Sequence, residues 1–577
     1  MIDYTLDLSA RRAHRYRVTL QLAGAALPLK LTLPVWIPGS YLVREFARHL
    51  GPLAAELDGA ACRVEALDKC SWRVEQPERG PARGRLRVHY EVYAFDASVR
   101  AAFLDDARGF FNPTSLCLRV DGGDAQPHRL HFTQLPPGWT VATALPAVGR
   151  ARRWVAADYD ELIDHPVMLS SGWRGGFELR GVPHEFVVDG AWPGFDGERL
   201  LADARRVCDA ACALWQGDAP PPFARYLFLL QALDDGYGGL EHRSSCALVT
   251  ARRNLPRRGE RDAGDGYTGL LGLIAHEYFH AWNVKRLKPR EFERYDLQAE
   301  NYTRLLWFFE GFTSYYDDLL LLRAGLIDAP RYLRLLARTV NAVRASPGRR
   351  QHSVADASFD AWIRHYRPDE NTANATVSYY AKGSLVALAL DLRLRARGTG
   401  TLDELMRRLW REHGGGIDEA DIERALHAVG GAPLRRDLQA WVHGTDELPL
   451  PALLAGVGVD WREEPADLAG QLGLRLSEGP VSGVQVKAVL RDGAAQASGV
   501  SAGDELIAVD GWRLRRLEDA RAWIEPRRPL RLLLARDQRL LELELAAPGP
   551  GLQPVALSLA DRPGAAARRR RQHWLGA

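Results

Sequence analysis

The run Leu270-Leu271-Gly272-Leu273-Ile274-Ala275-His276-Glu277-Tyr278-Phe279-His280-Ala281-Trp282 constrains this chain more than any other stretch. Its apolar residues call for burial, yet it carries two imidazoles and a carboxylate. On a helix, His276 and His280 lie one turn apart and share a face. Two neutral imidazoles at that spacing can hold one Zn²⁺, and Glu277 beside the first can act as base on a water at the metal. The alternative is a surface helix with two unrelated histidines. The apolar flank from Leu270 to Ala275, with Tyr278 and Phe279 between the histidines, argues against it. A buried helix rarely carries His, Glu and His without a partner that compensates them.

A chain of 577 residues is too long for one domain; about three or four are expected. Hydrophobic and charged contents of 46% and 26% are those of an ordinary globular protein. The net charge of +3 points to neither nucleic acid nor an anionic membrane. None of the six cysteines forms a Cys-x-x-Cys pair. Cys208 and Cys212 have helical spacing but no His or Cys nearby to complete a zinc site, so buried free thiols in a reducing compartment are expected. The stretch Met1 to Leu8 reads as a strand, with no secretory signal. No run approaches the roughly 18 apolar residues of a membrane span. A cytoplasmic protein is expected.

In chain order, residues 1–170 read as β. Tyr16 to Leu22, Leu29 to Leu33 and Gly84 to Tyr93 alternate with period two, as in a β-sandwich-like domain. Within it, Leu33-Pro34-Val35-Trp36-Ile37-Pro38-Gly39-Ser40-Tyr41 reads as a turn carrying core aromatics, with a rigid loop facing another domain as the alternative. Gly197 to Trp215 has helical spacing, and Tyr226 to Leu233 reads as a buried strand running into Tyr237-Gly238-Gly239-Leu240-Glu241-His242. There Glu241 is expected at a strand edge before the metal helix, which should span roughly Tyr267 to Lys285. A second long helix is expected from about Asn301 to Ala324, and mainly helical texture to about residue 445. Residues 465–548 read as short strands with one or two short helices. The tail, 549–577, carries Pro, Gly and Arg568 to Arg571 and reads as loose.

Two histidines are too few for catalytic zinc, which usually takes three protein ligands and a water. No third His follows at metzincin spacing; Lys285, Arg286 and Lys288 lie there instead. The third ligand should be a carboxylate further on, from among Glu291, Glu293, Asp296, Glu300 and Glu310. Glu300 has the better spacing for a thermolysin-type site. Glu310 has the better setting, since a carboxylate amid Leu305, Leu306, Trp307, Phe308, Phe309 and Phe312 needs a charge partner. Gly311 beside it lets another backbone approach. Glu310 is the choice.

With these pieces in view, the sequence resembles the PDZ-containing glycyl aminopeptidases, a family of gluzincin metallopeptidases. Four stretches carry the resemblance: Val35 to Phe46, Tyr237 to His242, His276 to Arg286, and Trp307 to Tyr316. It extends over nearly the whole chain except the tail. It implies a multidomain α+β chain: a β-sandwich-like domain at 1–170, a thermolysin-like, mainly helical catalytic domain at 171–460, and a PDZ domain at 465–548. Gly499 to Gly511 supports the last, with Gln471 to Leu476 in the place of a carboxylate-binding loop.

The more distant aminopeptidase N family implies roles. Glu310-Gly311-Phe312 is similar to its Glu-Gly-Phe ligand motif. Tyr380-Ala381-Lys382-Gly383 is similar to its Tyr-x-Lys-Gly, whose Tyr stabilises the tetrahedral intermediate. Gly238 to His242 is similar to its Gly-x-Met-Glu-Asn, whose Glu binds the free α-amine; here Leu240 and His242 replace Met and Asn.

The resemblance implies one Zn²⁺ per chain on His276, His280 and Glu310, with Glu277 as base, Tyr380 at the oxyanion and Glu241 on the substrate amine. The expected activity is removal of N-terminal residues, Gly or Ala by family resemblance, from peptides with a free N-terminus. The PDZ domain would take a C-terminal peptide. The rivals are a zinc endopeptidase and a PDZ-based peptide-binding scaffold with an inert peptidase domain.

Overall fold

The computed structural model describes residues 1–149, 153–260, 262–431, 433–525 and 527–576. The chain forms two compact units, one of residues 1–302 and 410–417, the other of 303–409 and 418–577. This division differs from the expected one at 170 and 460. It places the first half of the expected catalytic region with the β domain.

In the first unit, the expected strands at the N-terminus, at Tyr16–Leu22 and at Gly84–Tyr93 form as Ile2–Asp7, Arg15–Ala26 and Arg83–Tyr93, the second with a bulge between Leu22 and Ala25. They are neighbouring strands of a seven-stranded sheet in the order Arg153–Ala156, His128–Thr133, Ile2–Asp7, Arg15–Ala26, Arg83–Tyr93, Ala54–Leu57, Ala60–Cys62. Inward residues such as Tyr4, Leu6, Val18, Leu20, Val88 and Tyr90 are buried, as a half-buried strand requires. Two smaller four-stranded sheets complete the β domain.

A five-stranded sheet follows, in the order Trp173–Leu179, Val182–Asp189, Tyr226–Leu233, Ser245–Ala251, Tyr237–Glu241. Its three inner strands are parallel, and both edge strands run antiparallel to them. Tyr226–Leu233 and Ser245–Ala251 are buried almost along their whole length because both of their faces are covered. The helix Gly197–Gln216, capped by Asp196, and the helix Asp265–Phe279 pack together beside this sheet.

The His276 helix ends at Phe279, six residues before the expected Lys285. Beyond it, Arg286 donates to Ala281 O at 2.7 Å and to Arg243 O and Pro222 O at 2.8 Å each. That guanidinium satisfies a carbonyl just past the helix end and two carbonyls of neighbouring segments, which fixes the path of the chain as it leaves the helix. The next helix starts at Leu306, later than expected, because Asn301 closes a turn onto Asp296.

The second unit holds the helices Leu306–Arg323, Ala329–Arg344 and Tyr379–Arg397, the last two capped by Asp328 and Ser378. Its C-terminal part carries the PDZ strands, with Leu474–Gly479 at one edge, then Gly483–Val489, Glu505–Val509, Leu530–Arg536 and Arg539–Leu545. Leu468, Val484, Val486, Leu506, Leu532 and Leu534 form its core. Gln471 and Leu472 end a short helix ahead of the edge strand. A cleft of about 1300 Å³ lies along that edge, with Leu474, Leu476 and Leu517 on one side and Arg344, Arg349 and Arg350 among its other lining residues.

The expected loose tail is instead ordered. Val555–Leu559 pairs with Val459–Glu463, and Asn341 bonds both the N–H and the C=O of Val555 at 2.7 and 2.9 Å. Ala565–Leu575 is a helix. Its Trp574 is buried and donates to Tyr315 Oη at 3.0 Å. The buried indole, the strand pairing and the Arg570 bond to Gly456 O at 2.9 Å help hold down a segment whose composition alone reads as polar. No helix among the described residues is long and apolar enough to cross a membrane.

Candidate metal centre

The first unit carries His276, Glu277, His280 and Glu241. The two imidazoles meet at right angles, with ring centroids 4.6 Å apart and Nε2 atoms 3.1 Å apart. His280 Nδ1 donates to Asn283 O at 2.6 Å, which leaves Nε2 of that ring as a lone pair. Asn283 follows the helix end, so the unwinding after Phe279 is what brings its carbonyl to the ring. A backbone acceptor on the far nitrogen is the usual way a ligating imidazole is oriented. Two nitrogens aimed at one position suit a shared divalent cation, so the donor set fits zinc.

Glu277 and Glu241 are each only 4% exposed. One oxygen from each, and one nitrogen of His280, all lie within 4.8 Å of one another. The edge strand Tyr237–Glu241 runs past this helix closely enough that a Cβ on Gly239 would collide with the Glu277 carboxylate. The strand's missing side chain is therefore what lets the two carboxylates share one space.

Behind Glu241 lies a buried charge cluster. Asp164 pairs with Lys285 at 2.8 Å, both below a tenth exposed, and accepts the Arg243 N–H at 2.9 Å. Burial pushes the Asp164 carboxyl up, but Lys285 and then Arg243 outweigh it and hold it well below the usual carboxylate range. Burial also pushes His242 down to about 4, against the opposing pull of Asp164. Asp164 thus ties the end of the Glu241 strand to the segment after the metal helix. Lys285 is spent on this pair. Sequence reasoning noted that cation but had no means to find Asp164, 121 positions earlier.

The turn at Trp36 is more than a carrier of core aromatics, which corrects the expectation. Trp36 donates to Asp296 O at 2.8 Å and packs edge-on against Tyr295 at 5.5 Å. Val35 N donates to Leu297 O at 2.9 Å. Gly39, at φ +95°, lies against Glu241: a Cβ there would sit 2.5 Å from its Oε1. The aromatic loop is a wall of the Glu241 pocket, and only glycine fits its point of closest approach.

The second unit carries Glu310 and Tyr380. Glu310 is buried, at 2% exposure, in the helix Leu306–Arg323. The next residue, Gly311, meets Gly383 of the helix Tyr379–Arg397: a Cβ on it would lie 2.5 Å from Gly383 Cα. That glycine contact brings the two helices to backbone distance. Tyr380 is raised well above 10, by burial first and by Glu310 second. His365 is pushed down by burial, with Glu310 opposing, and its ring lies 5.3 Å from that of Tyr380. Tyr366 Oη is 3.4 Å from Tyr380 Oη. No sequence pattern singled out His365 or Tyr366.

Comparison with known proteins gives three matching family profiles: a Peptidase M61 N-terminal domain over residues 3–171, M61 glycyl aminopeptidase over 269–386, and a PDZ domain over 461–533. Among solved structures, the chain is similar to an aminopeptidase N family protein from Idiomarina loihiensis, at 35% identity and a TM-score of 0.93, covering 100% of both chains. It also matches an M1 zinc metallopeptidase from Deinococcus radiodurans at 16% identity and a TM-score of 0.47, over 78% of this chain and 94% of that one. A yeast LTA4 hydrolase bound to bestatin matches at 13% identity and a TM-score of 0.46, over 79% and 70%. No curated protein matches the chain.

Proposed function

From the premise that this chain belongs to the M61 glycyl aminopeptidase family, we propose that it is a zinc aminopeptidase that removes N-terminal Gly or Ala from peptides. His276, His280 and Glu310 would hold one Zn²⁺. A single matched profile, residues 269–386, contains all three ligands together with Glu277 and Tyr380. The observation that carries the reading is the meeting of Glu241, Glu277 and His280 within 4.8 Å. An aminopeptidase needs a carboxylate for the substrate amine beside its base and its metal, and that is what this convergence supplies.

Zinc bound there would supply Lewis acidity, which would ease deprotonation of the attacking water near neutral pH. Glu241 pairs with the substrate's α-ammonium and fixes the first peptide bond in register, a charge-assisted contact in a water-poor pocket. Glu277 takes the proton from the attacking water and passes it to the departing amine. Tyr380 donates its phenolic hydrogen to the oxyanion that develops as the carbonyl is attacked. Gly39 crowds Glu241 from the loop side, which agrees with a small first residue. The PDZ cleft beside Leu474–Gly479 takes a peptide C-terminus along its edge strand. Six free thiols, five of them buried, fit a reducing compartment, and a cytoplasmic location is proposed.

The test is a panel of amino-acid arylamides assayed with and without a chelator. Gly and Ala arylamides should turn over fastest, lose activity on chelation and regain it with added zinc. Activity that survives complete removal of metal would defeat the proposal. The endopeptidase alternative predicts cleavage of N-blocked peptides at rates matching free ones.

A further inference from the structure

Arg100 lies against the Glu241 strand and has no carboxylate partner among the described residues. It lies in the loop between the strands Arg83–Tyr93 and Ala102–Leu104, and its position is fixed on both sides. Asn112, fully buried, donates its side-chain amide to Val99 O at 2.7 Å and its N–H to Ala101 O at 3.1 Å. Val99 itself is buried in one apolar cluster with Ile37 and Leu240. The loop is therefore locked to the core that also carries the Glu241 strand, and Arg100 is presented to that strand's open edge.

There, Arg100 Nη2 donates to Gly239 O at 3.4 Å, a long bond. A Cβ on Gly238 would lie 3.6 Å from Nη1, so the absent side chain leaves room over the guanidinium. Arg100 Nε is buried without a hydrogen-bond acceptor. Among the described residues, Arg100 forms no ion pair with a carboxylate. A guanidinium held in place by one long carbonyl bond, with no carboxylate beside it, is a site for a planar anion.

The strand gives the spacing. Gly239 and Gly238 precede Glu241 by two and three residues, which is about 7–10 Å at the strand rise of roughly 3.3 Å per residue. A substrate whose ammonium sits on Glu241, extended along this edge, places a group at that distance one or two residues beyond the scissile bond. On the aminopeptidase reading given above, we propose that Arg100 binds a carboxylate on the leaving side of the substrate, so that the enzyme favours short peptides, di- and tripeptides, whose C-terminal carboxylate reaches it. An Asp or Glu side chain at the second position offers the same chemistry.

The experiment uses the zinc-loaded full chain and compares kcat/KM for Gly-Ala, Gly-Ala-amide, Gly-Asn-amide and Gly-Asp-amide, in the wild type, Arg100→Gln and Arg100→Lys. The wild type is expected to prefer Gly-Ala over its amide at least tenfold. Arg100→Gln should lower kcat/KM on Gly-Ala by 10- to 100-fold, mostly through KM, and lower it on the amide by a factor at least ten times smaller. Arg100→Lys should retain part of the preference. A Gly-Asp-amide preference over Gly-Asn-amide that collapses in the glutamine variant adds the side-chain carboxylate as a ligand; its absence restricts the site to the main-chain terminus. The wild-type acid-to-amide ratio decides the matter even if a variant fails to fold. A ratio near one, or a ratio that Arg100→Gln leaves in place, overturns the proposal while leaving the aminopeptidase reading intact. Failure of the wild type to cleave any of the four overturns both.

Discussion

In the proposed mechanism Glu277 is the base. It lies next to His276, 4% exposed, with its carboxylate against the bare backbone of Gly239. Glu277→Gln keeps the shape and the hydrogen-bonding reach but cannot accept a proton. The expected result is a fall in kcat of about 10²–10⁴, with zinc content measured by atomic absorption unchanged. A fall in zinc content in parallel with activity would make Glu277 a ligand rather than a base. At this scale the sequence was most legible where chemistry is local. His276, Glu277 and His280 announce themselves because one helical turn sets their geometry. Gly39 against Glu241, Asp164 against Lys285, and Arg100 beside Gly239 are contacts between residues far apart in the chain. No spacing rule reaches across that many positions.

Elements carry the site through their closest approaches. The helices Leu306–Arg323 and Tyr379–Arg397 touch at Gly311 and Gly383, where a Cβ on Gly383 would lie 2.5 Å from Trp307 O. Glu310 and Tyr380 lie one and three residues from those glycines. Gly311→Ala must push the helices apart, at a cost of about 1–3 kcal/mol for overpacking. A lowered thermal midpoint together with reduced kcat is expected; an unchanged midpoint would mean that the contact relaxes freely. Helix existence was readable from periodicity, and the helix cores fell where expected. The ends were not readable, because they depend on partners: Arg286 closes the His276 helix onto carbonyls of residues 222 and 243. The C-terminal segment misled for a related reason. Its helix, rich in arginine, is held by the buried Trp574 and Leu575 and by Arg570 on Gly456 O, and the strand before it pairs with one that begins nearly a hundred residues earlier.

For the molecule as a whole, stability should depend on pH through histidines buried neutral. Burial pushes His184 down to about 4. It donates from Nδ1 to Val182 O at 3.0 Å and accepts from Tyr278 Oη at Nε2, 2.9 Å away. A proton on Nε2 would oppose that phenolic donor. With an unfolded value of about 6.5, the folded form binds fewer protons between pH 6.5 and 4, so this contribution is complete above pH 6.5 and lost as pH falls towards 4. The loss is about 3 kcal/mol for this residue. His242, also pushed down to about 4, acts in the same direction. Urea unfolding monitored from pH 7 to 4.5 should show a falling midpoint, and His184→Gln should flatten the fall. A midpoint independent of pH over that range would contradict the burial account. The β-rich and PDZ portions were legible at this scale because period-two alternation and turn residues run through them. The compact units were not, since the first unit joins the β domain to the five-stranded sheet through one shared apolar cluster around Ile37, Phe110, Leu229 and Leu240.

The claim that matters most for the molecule is that Glu241 makes it an exopeptidase. The direct measurement is kcat/KM for Gly-Ala-Ala against N-acetyl-Gly-Ala-Ala, in wild type and in Glu241→Gln. A carboxylate–ammonium bond is worth about 1.5–3 kcal/mol, or roughly 10- to 150-fold in rate constant. The wild type is predicted to cleave the free peptide at its first bond and to discriminate against the acetylated one by at least that factor. Glu241→Gln is predicted to erase most of the discrimination by losing activity on the free peptide. Equal cleavage of both peptides by the wild type, or discrimination that survives in Glu241→Gln, would contradict the account.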